Sequence, residues 1–231
     1  MGINGITSAI FDLDGTLIDS KTGIINGLKD AFSKCGLTVP KDKEIPVGPP
    51  LYDTILSVFP DANEELMERI TEHFRDAYHR FDLPVSKPYE GMTELLCKLK
   101  ECGIKTYIAT FKPKIFSSKI LEKYFKDLYI DVATPTELPT WNNTVQNNCT
   151  KADIVSFFVK KHSIDCEKCF MAGDAQSDIQ AAHKNGMISI AAKYGYGENL
   201  NFARYSAHST NELCEIILNL VNTPEKSARA V

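Results

Sequence analysis

No apolar run in this chain approaches the roughly 18 residues that a membrane span requires. The first residues, Met1–Thr7, also lack the basic start and long apolar centre of a secretory signal. A membrane role is therefore unsupported, and the cytosol is the expected compartment. No Lys/Arg block stands out either: 26 basic and 30 acidic side chains are interspersed to a net charge of −4, so the electrostatic footprint of a nucleic-acid binder is missing. The five histidines form no H-x-x-x-H or H-x-H pattern, which argues against a zinc centre. An even cysteine framework is absent too. The seven cysteines run from Cys35 to Cys214 and read as free thiols in a reducing compartment, several of them packing as small hydrophobes. Cys166 and Cys169 make a lone C-x-x-C with no second half, an accidental loop pair. The sequons at Asn142 and Asn148 have no meaning without secretion. No internal repeat is visible, which sets a solenoid aside.

What the chain does contain is enough apolar material, 43% of 231 residues, for a full core. Short, near-continuous apolar runs recur at Ala9–Phe11, Thr106–Ala109, Cys169–Ala172 and Ile188–Ala191, as strands buried on both faces require. Helical patterns lie between them. Leu95, Leu96 and Leu99 share one stripe that Gly103 ends; Ile154, Val155, Phe158 and Val159 follow Thr150, an N-cap. Ser209 and Glu212 form a capping box ahead of Leu213, Ile216, Ile217 and Leu220. The alternation predicts an α/β domain with a parallel sheet. From Lys21 to about Ser86 it breaks: two helical stripes, Ile24/Ile25/Leu28/Phe32 and Leu66/Met67/Ile70/Phe74/Phe81, predict a helical insertion hinged near Ser20 and at Pro84–Pro88. The polar stretch from Thr134 to Cys149 predicts a surface loop.

Ligands of an open parallel sheet collect outside the carboxyl ends of its strands. Asp12 and Asp14 follow the first apolar run, Thr110 the second; Lys151 opens a later helix, and Gly173-Asp174 and then Asp178 follow the next run. Carboxylates crowded together repel unless a cation shares them, and an oxygen-only set with few protein donors suits Mg²⁺. Magnesium in turn implies phosphate, because a metal bridging carboxylate and phosphoryl oxygens offsets their mutual repulsion. Asp12 is then a credible nucleophile.

These residues resemble the haloacid dehalogenase superfamily, specifically its phosphatase branch with a helical cap inserted after the first motif. The resemblance covers nearly the whole chain. The first motif, D-x-D-G-T followed by L-(V/I)-D-S, stands here as Asp12-Leu13-Asp14-Gly15-Thr16-Leu17-Ile18-Asp19-Ser20. The second is Thr110 in "YIATFKP", and the third, a lysine opening a helix, is matched by Lys151. The fourth, G-D-x-x-x-D with an alanine-rich helix and a glycine after it, is Gly173 to Asp178, then Ala181-Ala182 and Gly186. The resemblance implies a Rossmann-like parallel-sheet core flanked by helices, residues 1–19 and 87–231, and an inserted α-helical cap, residues 20–86. It also implies an aspartyl-phosphate on Asp12, with Asp14 as acid and then base. Mg²⁺ would be held by Asp12, the Asp14 carbonyl and Asp174, with Asp178 bound to it directly or through a neighbour. Thr110 and Lys151 would hold the phosphoryl oxygens.

The chain departs from its relatives at Ala152, where many have proline, and at Phe111, where a small polar residue is common. Gly195-Tyr196-Gly197 resembles a G-x-G turn that follows the last strand in these proteins. The cap should choose the substrate. Gly48–Thr54 carries neither the lysine of phosphonoacetaldehyde hydrolases nor the arginine of sugar phosphomutases, and its G-x-P-L is similar to phosphoglycolate phosphatases and their pyrophosphatase and nucleotidase relatives. The expected partner is a small phosphorylated metabolite. The alternatives are a phosphomutase or phosphonatase of the same superfamily, or a non-catalytic regulatory domain that holds aspartyl-phosphate.

Overall fold

The computed structural model describes residues 5–138 and 149–222. Its first strand, β1 (Ser8–Phe11), is buried along its whole length, as a strand with neighbours on both sides must be. A tight turn leads to β2 (Ile18–Asp19), a two-residue rung that carries the chain away from the sheet. Three helices follow: α1 (Lys21–Lys34), α2 (Leu51–Val58) and α3 (Glu64–Phe81). The chain returns on β3 (Lys87–Pro88), antiparallel to β2 with Ile18 opposite Pro88 and Asp19 opposite Lys87. Leu28, Ala31 and Phe32 of α1 pack with Ile55 and Val58 of α2 and Ile70 of α3 in a core of their own. Ile24, Ile25 and Phe74 stay only partly buried. Of the three helices, α2 has no counterpart in the sequence reading; two turns are too short for a helical period to stand out.

Beyond the insertion run α4 (Met92–Glu101), β4 (Lys105–Ala109), α5 (Lys114–Tyr124) and β5 (Asp131–Ala133). Next come a 3₁₀ turn at Pro135–Glu137, α6 (Lys151–His162), a second 3₁₀ turn at Cys166–Lys168 and β6 (Cys169–Gly173). The last described elements are α7 (Gln176–Lys184), β7 (Ile188–Ala192), β8 (Tyr205–Ala207) and α8 (Thr210–Asn222). Thr150 caps α6, its hydroxyl accepting the Asp153 N–H while the Asp153 carboxylate accepts the Thr150 N–H. At α8 the predicted box differs in detail: Ser209 Oγ accepts from the Glu212 N–H, but the Glu212 carboxylate accepts from the His208 N–H, one residue before the predicted cap. The sequons fall outside the described residues. Cys166 and Cys169 are free thiols.

The main sheet has six strands in the order β5-β4-β1-β6-β7-β8. All five pairings are parallel. From β1 the chain moves outward to β4 and β5, then crosses to β6 and moves outward on the other side. The crevice where that order reverses, at the carboxyl ends of β1, β4 and β6, is where doubly wound sheets bind ligands. Side chains alternate across the sheet. Phe11, Phe170 and Ala172 join Leu95, Leu96, Leu99, Leu213 and Ile217 on one face, and Ile10 and Met171 join Ile154, Val155 and Phe158 on the other. Phe11 and Phe170 meet edge to face at 5.5 Å. No helix among the described residues is long and apolar enough to cross a membrane.

Candidate active site

The end of each central strand delivers one polar residue to this crevice. Asp12 leaves β1 with its N–H bonded to Ala172 O of β6 at 2.9 Å, which holds the two carboxyl ends together. Asp174 is the residue after β6, and Asp178 sits in the first turn of α7. One oxygen from each of Asp12, Asp174 and Asp178 lies within 4.8 Å of the others, and all three residues are buried. Lys151, the first residue of α6, reaches into the same cluster. Its Nζ is 2.6 Å from Asp12 Oδ1 and 3.1 Å from Asp178 Oδ1, and it donates to Ala109 O at 3.1 Å. Asp178 also serves its own helix, with Oδ2 accepting the Ala175 N–H at 2.9 Å. A first-turn aspartate and a site carboxylate are thus one residue.

Charge is under-compensated here. Three buried carboxylates face the one Lys151 ammonium, so full ionisation leaves two negative charges for a cation to balance. Burial pushes the Asp12 carboxyl up to about 6; Lys151 opposes this and Asp178 adds to it. Burial also pushes Asp174 up to about 8, with the charges of Asp12 and Asp178 adding to the rise. For Lys151, burial works against the ammonium, yet Asp12 and Asp178 outweigh it and hold the pKa above the usual lysine range. An all-oxygen, net-negative, buried set of this kind fits a hard divalent cation.

Asp14 stands apart from that cluster. Its Oδ1 accepts from Ser20 Oγ at 2.5 Å and from Lys112 Nζ at 2.6 Å. Lys112 in turn pairs at 2.8 Å with Asp82 Oδ2, just past the end of α3, and Ser86 Oγ donates to Asp82 Oδ1 at 2.7 Å. Burial raises the Asp14 pKa, Lys112 pulls it back and Asp82 adds to the rise. Thr110, at the end of β4, accepts the Lys112 N–H on Oγ1 at 3.1 Å, so its hydroxyl proton remains to be donated. Sequence reasoning missed both Lys112 and Asp82. Lys112 lies past a strand's carboxyl end, and Asp82 is an acid at a helix C-terminus, where the helix dipole disfavours it. Each position is a local signal, though neither reveals that the two residues meet.

Glycines bring the acids this close. A Cβ on Gly15, whose φ is +82°, would collide with the Asp174 carboxylate. One on Gly195 would strike Asp174 and the Gly15 carbonyl. The G-x-G turn is part of the site. Tyr196 N–H donates to Asp174 Oδ2 at 2.7 Å, and Thr16 Oγ1 donates to Asp174 Oδ1 at 3.4 Å. The Tyr196 hydroxyl accepts the N–H groups of Ser20 and Lys21 at 2.6 and 3.0 Å and donates to Asp19 at 2.9 Å, serving orphan donors at the start of α1.

Above the acids lies a cavity of about 270 Å³ that takes in Asp12, Asp14, Thr110, Lys151 and Asp174. Its other walls come from α1, α3, the 46–54 stretch, Phe111 and Phe116. The Phe111 ring centroid is 5.1 Å from Lys151 Nζ. Such a volume suits a small organic molecule.

Known proteins resemble this chain in sequence and fold. A family model described as haloacid dehalogenase-like hydrolase matches residues 9–192. A 5'-nucleotidase of Pseudomonas aeruginosa is 26% identical over 89% of this chain and 89% of its own length. A phosphoglycolate phosphatase of Vibrio parahaemolyticus is 28% identical over 90% of this chain and 94% of its own. The crystal structure of a predicted phosphatase from Clostridium acetobutylicum superposes with a TM-score of 0.79 at 28% identity, covering 93% of this chain and 99% of that one.

Proposed function

Because this chain belongs to the haloacid dehalogenase-like hydrolases, we propose that it hydrolyses phosphate monoesters of small metabolites in two steps, with Mg²⁺ as cofactor and Asp12 as nucleophile. The observation that carries the reading is the pairing of two acid systems on one cavity: the Asp12–Asp174–Asp178 cluster with Lys151, and Asp14 held separately by Lys112 and Ser20. A receiver-like regulatory domain would have no use for the second. In this reading residues 20–86 form the substrate-selecting cap over a catalytic core of residues 1–19 and 87–231. The relatives named above act on nucleotides and phosphoglycolate, which makes such esters, and pyrophosphate, the candidate substrates.

Asp12, Asp174 and Asp178, with the Asp14 carbonyl, would hold the metal. When bound, the cation supplies positive charge that lets an anionic carboxylate approach an anionic phosphoryl group. Lys151 binds phosphoryl oxygens and favours the ionised form of Asp12 against the pull of burial. The Thr110 hydroxyl donates to another phosphoryl oxygen. In the first step an Asp12 oxygen bonds to phosphorus while the bond to the alcohol oxygen breaks, and that oxygen leaves with the Asp14 proton. The burial-raised pKa of Asp14 supports an acid starting form. In the second step a water gives a proton to Asp14 and attacks phosphorus, releasing inorganic phosphate and the Asp12 carboxylate. Lys112 and Ser20 hold Asp14 in one orientation for both transfers.

Turnover of p-nitrophenyl phosphate with Mg²⁺ and with EDTA tests the scheme. Activity is expected with the metal alone, and Asp12→Asn is expected to abolish it. Equal rates in EDTA, or near-normal turnover by Asp12→Asn, would overturn it.

A further inference from the structure

One buried hydroxyl in the cavity has no partner. Thr71 of α3 is 6% exposed, its Oγ1 makes no hydrogen bond among the described residues, and it lines the cavity that holds Asp12 and Asp14. Buried polar side chains are nearly always paired, so an orphan facing a cavity points to a ligand atom. Arg75 lies one turn further along the same helix face and lines the same cavity. It carries no ion pair among the described residues, whereas Arg80 of the same helix is paired with Asp30 at 3.0 Å. Around these two donors the walls are apolar: Ile24, Leu28, Leu51, Phe74, Phe111 and Phe116.

We propose that Thr71 and Arg75 form a distal recognition subsite for the alcohol portion of the substrate, and that the ester selected is a nucleoside monophosphate. The proposal rests on the phosphatase reading and narrows it. Phosphoglycolate and pyrophosphate carry charge at both ends and have no apolar body. Either could set its second anion beside Arg75, but neither would cover the apolar walls that Ile24, Leu28, Leu51 and Phe74 present. A nucleobase has the opposite properties: flat faces that bury against Phe74 and Phe111, and ring carbonyls that accept from the Thr71 hydroxyl and the Arg75 guanidinium. Lys151 and Thr110 serve the phosphate at one end of the cavity, and α3 serves the base at the other.

The test measures kcat/KM for uridine monophosphate, phosphoglycolate, pyrophosphate and phenyl phosphate with Mg²⁺, in the full chain and in Thr71→Val and Arg75→Met. Uridine monophosphate should exceed phosphoglycolate and pyrophosphate by about tenfold or more, and each substitution should lower its kcat/KM by about tenfold, mostly through KM. Phenyl phosphate has a ring but no distal acceptor, so its turnover should stay within about twofold in both variants and also report that they fold. Equal losses on phenyl phosphate, or a preference of the unaltered protein for phosphoglycolate or pyrophosphate, would overturn the subsite while leaving the phosphatase reading intact. Failure of the unaltered protein to turn over any of the four would bring down both.

Discussion

Replacing Lys112 by methionine removes an ammonium that is 4% exposed and strands the two carboxylates it serves. Methionine keeps the length and apolar stem of lysine, so the change is mainly one of charge. At 2.6 Å to Asp14 and 2.8 Å to Asp82, each contact has a gross attraction of about 6 kcal/mol at an effective dielectric of about 20. Most of that is offset in the native protein by burying the lysine, and removing one member of such a buried group costs about 3–5 kcal/mol. Asp14, already raised by burial, relieves part of the strain by keeping its proton. Urea denaturation near neutral pH should therefore show a loss of about 3 kcal/mol, and a smaller loss at a lower pH, because protonating Asp14 removes one stranded charge. Adding Asp82→Asn to Lys112→Met should restore part of the stability, because it deletes the second stranded charge. A Lys112→Met protein within about 0.5 kcal/mol of the unaltered chain at both pH values would refute the argument.

The Asp174 carboxyl, raised from 3.8 to about 8, keeps its proton in the folded metal-free protein over a range where the unfolded chain has lost it. Stability without metal should thus fall as pH rises from about 5 to about 8, and Mg²⁺ should raise Tm more at the upper end; a flat profile by calorimetry would count against the cluster's charge state. Gly15→Ala forces a side chain into a φ of +82° and into the Asp174 carboxylate, and should cost about 1–3 kcal/mol in thermal melts along with most metal-dependent turnover. Tyr196→Phe leaves the Ser20 N–H without its acceptor and the Lys21 N–H with the Asp19 carboxylate alone, so hydrogen exchange at the Ser20 amide should quicken most; unchanged protection there would show that the phenol does not hold the helix start.

Much of the core was legible because buried parallel strands are written as unbroken apolar runs. The predicted Ala9–Phe11, Thr106–Ala109, Cys169–Ala172 and Ile188–Ala191 match β1, β4, β6 and β7 to within a residue at each end. Three-residue β5 and β8 and the two-residue β2 and β3 are too short to carry a period, and tertiary pairing alone defines them. The acids were legible from their places after those runs. The Asp14–Lys112–Asp82 bridge was not, because its members come from three separate elements and only their meeting reveals the role. Tyr196 is a similar case: its hydroxyl acts on α1 from far along the chain, and nothing in local periodicity encodes that contact.

The pairing of Ile18 with Pro88 and of Asp19 with Lys87 puts the departing and returning strands side by side, about 5 Å apart. None of the helices between them supplies a rung of the main sheet. Ser20, Asp82 and Ser86 belong to the same excursion yet anchor Asp14 and Lys112, so a graft that leaves the acid system intact has to keep these three residues and exchange only the helices between them.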